Sequence, residues 1–128
     1  DVLKEGTDIT IIASGILVYE AKLAIEELKE KGINAELISA NFIKPLDTTT
    51  ILNSIKKTNV VLTCENHNIL GGLHSAICEL ACEYAPMKVY GIGIEDKFGQ
   101  VGKYQDLLEE YHLTKNDIVE KVIEILNK

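Results

Sequence analysis

The densest run of chemically capable side chains in this 128-residue chain is Glu65-Asn66-His67-Asn68-Ile69-Leu70-Gly71-Gly72. A carboxylate and an imidazole this close can move protons if a reacting group sits between them. No nucleophile or oxyanion motif accompanies Glu65 and His67, so polar contacts at a domain interface are the simpler reading. Gly71 and Gly72 precede a helical pattern, where backbone N–H groups could cradle an anion. The run nevertheless matches neither a P-loop nor a dinucleotide fingerprint, and it contains no Lys or Arg. A tight turn with close helix–sheet packing is the plainer role for the two glycines. His74, Cys78 and Cys82 stand four residues apart, and imidazole with thiolate suits zinc. On a helix, however, His74 and Cys82 lie about 12 Å apart along the axis, at ~1.5 Å per residue, so the three cannot share one ion. Core filling is the expected use of the cysteines. Gly91-Ile92-Gly93-Ile94 resembles a dinucleotide loop only superficially, because its glycines fall inside a strand rather than between strand and helix.

These residues are positioned by alternating strands and helices. Asp8–Ala13, Ile33–Ser39, Asn59–Cys64 and Met87–Ile94 read as strands rich in β-branched and apolar residues. Ser14 is a candidate N-cap for a first helix carrying Leu17, Ala21, Ala24, Ile25 and Leu28, and Gly32 stops it. Asp47 caps a second, short helix with Ile51, Leu52 and Ile55. A third follows Gly72, with Leu73, Ile77, Leu80, Ala81 and Tyr84 as its buried stripe. Two more close the chain, one over Tyr104–Tyr111 and one opened by Thr114 and Asp117 as a capping box. Residues 1–6 form a stub strand, which a tight connection through Gly6 makes antiparallel. The expected fold is α/β: a three-layer α/β/α domain over residues 1–128, with a mostly parallel sheet of four or five strands and one antiparallel edge strand.

Composition narrows the function. A net charge of −7 argues against nucleic acid as a partner, since phosphate selects basic surfaces. The apolar runs are too short for a membrane helix, and no secretory segment opens the chain, so a soluble, cytoplasmic protein is expected. Three cysteines without an export signal do not make a disulfide framework. The chain opens Asp1-Val2-Leu3 rather than on methionine, the expectation being a section of a longer protein.

Taken in order, several segments resemble the C-terminal domain of the transketolase family. These are Asp8–Gly15, Ile43-Lys44-Pro45-Leu46-Asp47, Cys64-Glu65-Asn66-His67 with Gly71-Gly72-Leu73, Asp96-Lys97-Phe98-Gly99, and Leu107–Thr114. The family includes transketolase, deoxyxylulose-phosphate synthase and the β subunit of 2-oxo acid dehydrogenases. The resemblance implies an enzyme that uses thiamine diphosphate and magnesium, held between a pyrimidine-binding and a diphosphate-binding domain. Neither of those domains is in this chain. It therefore implies no catalytic, cofactor-binding or metal-binding residue here. It implies instead a structural and assembly role in a homodimeric holoenzyme, with Glu65, Asn66, His67, Gly71 and Gly72 as interface or anion contacts.

Within the family, Phe98-Gly99 followed by Gln100-Val101-Gly102 resembles the transketolase branch, whose reaction moves a two-carbon ketol unit between sugar phosphates in the pentose phosphate pathway. The dehydrogenase β subunits tend to carry prolines in this loop, and none follows Pro86 here. The synthase and dehydrogenase branches remain alternatives. So does a free-standing module that binds an anionic metabolite at Gly71-Gly72.

Overall fold

A computed structural model describes residues 1–40, 46–68, 72–94 and 114–127, with backbone alone at 66–68 and 94. The elements in chain order are β1 (Val2–Lys4), β2 (Ile9–Ser14), α1 (Leu17–Glu30), β3 (Ala35–Ala40), α2 (Thr48–Thr58), β4 (Val61–Asn68), α3 (Leu73–Tyr84), β5 (Val89–Ile94) and α4 (Lys115–Leu126). The five strands form one sheet in the order β1-β3-β2-β4-β5, with β1 antiparallel to β3 and the other pairings parallel. This is the expected α/β fold, including the antiparallel edge strand. The strand order reverses between β2 and β4, so the carboxyl ends of those two strands flank the switch point of the sheet.

Strand alternation divides the sheet into two faces. Ile9, Ile11, Ala13, Leu37, Leu62 and Cys64 pack against α1 and α4. Ile12, Ile38 and Val61 pack against Ile51 and Ile55 of α2 and Leu73, Ile77 and Ala81 of α3. β2 is buried at all six positions, as a central strand covered on both faces should be. Each fully buried Ile or Leu contributes about 1.5–3 kcal/mol by leaving water, which makes these two layers the main source of cohesion.

The helix ends follow the sequence closely. Asp47 accepts from the Thr50 amide at 3.2 Å and caps α2, which ends on Asn59 in the left-handed region. Thr114 and Asp117 form the reciprocal capping box of α4. Gly32 takes a φ of +81° just past α1, an angle a side chain disfavours. Gly6 is required for a different reason: a Cβ there would lie 2.4 Å from the backbone carbon of Ala35.

Three expectations need correction. Ser14 does not cap α1. It remains in β2, paired with Ala40 of β3, and Gly15 makes the turn at a φ of +57°. α1 has Ile16 at its N-cap and no side-chain cap. Alternation places Ser14 with Thr10 and Ile12, on the face away from α1, and its buried Oγ has no hydrogen-bond partner among the described residues. Tyr84, expected in the core, is 56% exposed, and Leu80 is only partly buried, because the core-facing stripe of α3 is Leu73, Ile77 and Ala81. Strands β3, β4 and β5 each begin two residues later than expected, and β4 runs on past Cys64 to Asn68. The expected helix over Tyr104–Tyr111, the Asp96–Gly102 loop and Ile43-Lys44-Pro45 lie outside the described residues. None of the described helices is long and apolar enough to cross a membrane.

Candidate functional site

Besides Ser14, polar residues occupy four buried positions on the α2/α3 face of the sheet: Thr10 on β2, Glu36 on β3, and Thr63 and Glu65 on β4. A buried polar group is costly unless it is hydrogen-bonded, and each of these has partners on the helices or at the sheet edge. Thr10 Oγ1 lies 2.7 Å from both Ser54 Oγ and Thr58 Oγ1 of α2. Glu36 accepts from the Gly6 amide at 3.1 Å and from Lys57 Nζ. Burial pushes the Glu36 carboxyl up, but hydrogen bonds from Lys57, Ser54 and the Gly6 amide outweigh that and hold it below its ordinary value.

Glu65 lies in the segment that looked richest in the sequence. It is fully buried, and its two carboxylate oxygens accept from the first amides of α3, Leu73 N at 2.8 Å and His74 N at 3.0 Å. Gly72, the N-cap residue, offers no side chain to do this. The positive end of the α3 dipole and its orphan N–H groups thus meet an internal anion. Those amides are spent within the fold rather than turned toward an external phosphate. Of the other residues singled out beside it, Asn66 and His67 lie on β4 with only their backbone described, and Gly71 lies outside the described residues.

Cys64 beside it is no nucleophile. Burial first, and the Glu65 carboxylate second, push its thiol up to about 12, so the thiolate that would react is not formed near neutrality. Next to it on β4, Thr63 Oγ1 contacts the Tyr90 carbonyl at 3.4 Å and His74 Nδ1 at 3.0 Å. A carbonyl can only accept, so Thr63 is the donor toward Tyr90, while the direction of the Thr63–His74 bond follows the His74 tautomer. His74 Nε2 lies 3.4 Å from Cys78 Sγ. Burial raises the Cys78 thiol. Cys82, one turn further on, is exposed. Among the described residues no cluster of three or more His, Cys, Asp or Glu side chains could hold a metal ion.

Two buried carboxylates escaped the sequence reading. Glu36 ties β3 to Gly6 and α2. Glu20 of α1 accepts from the first amide of α4, Lys115 N, at 2.9 Å, while Lys115 Nζ reaches Glu27 of α1 at 3.0 Å. Glu20 falls on the same helical stripe as Leu17, Ala21 and Ala24, which is the one signal that could have marked it as inward-facing.

Among the described residues the arrangement holds helices to a sheet and exposes no activated group. The family model described as the transketolase C-terminal domain matches residues 1–118. The chain belongs to the transketolase C-terminal domain family. It is 42% identical over 126 residues to the 6-deoxy-6-sulfo-D-fructose transketolase subunit SqwH of Clostridium sp. strain MSTE9, covering 98% of this chain and 39% of that protein. It is 39% identical over 130 residues to 1-deoxy-D-xylulose-5-phosphate synthase of Halothermothrix orenii, covering all of this chain and 20% of that one. A solved structure titled "Split gene transketolase, inactive beta4 tetramer" superposes with a TM-score of 0.91 at 39% identity, over 99% of this chain and 42% of that one. The chain thus spans from a fifth to about two fifths of the proteins it matches. It is a transketolase-type C-terminal domain, and such domains occur both in split subunits and in longer synthases.

Proposed function

We propose that residues 1–128 act as one C-terminal domain of a thiamine-diphosphate-dependent transketolase, with a structural and assembly role in moving a two-carbon ketol unit between sugar phosphates. The observation that carries this reading is the use of Glu65. The α3 N-terminus, at the strand switch point, is already met by the chain's own carboxylate. A metabolite-sensing module at Gly72 would need those amides free, so the assembly role is favoured over it. Among the described residues none is left to hold thiamine diphosphate or its divalent metal: the buried carboxylates Glu20, Glu36 and Glu65 are each engaged by amides or Lys57. No step of the reaction is assigned to these residues. Cofactor binding belongs to the pyrimidine- and diphosphate-binding portions of the enzyme.

Assembly needs a surface, and one is present. Val2 and Leu3 of β1 and Tyr19 and Leu23 of α1 are large apolar residues left exposed, Tyr19 at 62%. Leu3, Leu23, Ile25 and Leu37, rimmed by Lys4, Lys22 and Glu26, line a hollow of about 290 Å³ between β1 and α1. We assign this patch to contact with the remaining portion of the enzyme, in keeping with the large fraction of each relative that this chain does not span. A homodimer of the complete enzyme is part of the proposal. A cytoplasmic setting suits the three free thiols.

The test is an assay of the enzyme assembled from the natural polypeptide carrying this chain and its companion portion, with thiamine diphosphate and magnesium. Ketol transfer from a ketose phosphate, or from a 6-sulfo ketose, to an aldose phosphate is expected. Turnover of pyruvate with glyceraldehyde phosphate instead would replace this reading with the synthase one.

A further inference from the structure

We infer that the companion portion of the enzyme docks along α1 through a segment that carries Lys or Arg beside an aliphatic anchor. The inference rests on the assembly reading above and adds the chemistry of the partner. Tyr19, Leu23, Glu26 and Glu30 stand at i, i+4, i+7 and i+11, so they form one stripe of the helix. All four are exposed. The stripe is apolar over its first half and acidic over its second. It is also a ridge between two hollows. On one side lies the hollow of about 290 Å³ next to β1, and on the other a broader one of about 880 Å³ next to α4. Leu23 and Glu26 line both, so an occupant that covers the ridge reaches into the two hollows at once.

Charge decides what that occupant is. The α4-side hollow is lined by the carboxylates Glu20, Glu26, Glu27, Glu30 and Asp117 against one ammonium, Lys115. Three of the five are used within the fold: Glu20 accepts from Lys115 N, Glu27 pairs with Lys115 Nζ, and Asp117 closes the capping box. Glu26 and Glu30 engage no partner among the described residues. They lie about 6 Å apart along the axis at ~1.5 Å per residue, a spacing that two basic residues one turn apart on a facing helix match. The β1 side is mixed, with Lys4 and Lys22 beside Glu26 around an apolar floor. The partner's basic residues therefore belong over the α4 side and its aliphatic anchor in the smaller hollow.

The same charges exclude other occupants. A second copy would bring the surface of a chain of net charge −7 against Glu26 and Glu30, and like charges facing each other oppose docking. Nucleic acid is repelled for the same reason. The chain spans 39% of the transketolase subunit it matches, so the greater part of such an enzyme lies outside it and is available to supply the segment. Exposed ion pairs add little affinity each. Covering Tyr19 and Leu23 holds the complex, while the carboxylates speed the encounter and set its orientation.

The test is the association of the natural polypeptide carrying this chain with the companion portion, followed kinetically at about 50 and 500 mM salt. Wild-type affinity should fall about tenfold between the two, chiefly through a slower association rate. Glu26→Lys combined with Glu30→Lys should weaken low-salt binding by about tenfold and flatten the salt dependence, and the milder Glu26→Gln with Glu30→Gln should do so by about threefold. Glu79→Lys with Glu83→Lys, the same change of net charge on exposed positions of α3, should leave both affinity and salt dependence as they are. Full low-salt affinity in the α1 variants, an equal loss in the α3 control, or wild-type binding indifferent to salt would each overturn the basic segment and leave the assembly role standing. Absence of any association by the wild-type protein would overturn both.

Discussion

Replacing Glu65 with glutamine keeps the shape of the side chain and removes its charge. The wild-type carboxylate offers one oxygen to Leu73 N at 2.8 Å and the other to His74 N at 3.0 Å. An amide retains one acceptor and turns its NH2 group toward the second backbone N–H, so one charge-assisted hydrogen bond is lost, at about 1.5–3 kcal/mol. A buried charge at a helix N-terminus is worth up to ~2 kcal/mol. The two effects overlap, because the dipole acts through those same N–H groups, and about 3 kcal/mol is the expected total. Denaturant unfolding of the Glu65→Gln protein measures the sum, and native-state hydrogen exchange locates it. Protection of the Leu73 and His74 amides should fall most, with the first turn of α4 unchanged up to the global limit. Glu79→Gln, on the exposed side of the same helix, should stay within about 0.5 kcal/mol of wild type. If Glu65→Gln matched that control, Glu65 would not be the anion that satisfies α3.

Gly6→Ala should destabilise by about 2–4 kcal/mol, because its Cβ would meet the Ala35 backbone and pull the Gly6 amide off Glu36; an unchanged denaturation midpoint would refute the close approach. Glu36 has a folded pKa below its ordinary 4.5, so its contribution is present above that value and is lost as pH falls through the lower folded one. The Glu36→Gln protein should accordingly show a shallower loss of stability on acidification than wild type, and identical acid slopes would remove Glu36 from the account. Leu23→Asp, at a residue 38% exposed, should leave stability nearly intact and weaken association with the companion portion in sedimentation; undiminished association would move the contact surface elsewhere.

Hydrophobic periodicity carried most of the fold. The β-branched apolar run Ile9–Ala13 reflects a central strand buried on both faces, and the 3.6-residue stripe of Leu17, Ala21, Ala24 and Leu28 reflects one helix face buried against the sheet, so both patterns are local and readable. Caps within four residues, Asp47 with Thr50 and Thr114 with Asp117, were readable for the same reason. What escaped was polar and distant. Glu20 meets Lys115, 95 residues away, and Glu36 meets Gly6 across 30. No spacing rule marks such pairs, because only the folded sheet brings them together. Glu65 stood out in the sequence as an acid before two glycines, a pattern equally fitting for an interface, a proton carrier or an anion pocket. Its partnership with α3 depends on where β4 ends relative to the helix, which is a matter of packing. Ser14 was misplaced because a hydroxyl before glycine signals a cap only if the chain leaves the sheet one residue earlier.

The central claim is that this domain supports a transketolase without touching its cofactor. Calorimetric titration of the purified chain with thiamine diphosphate and magnesium, beside the same titration of the assembled enzyme and with circular dichroism to confirm that the chain is folded, tests it most directly. The account predicts binding heat for the assembled enzyme and none for the folded chain alone. Micromolar binding by the chain alone would contradict it.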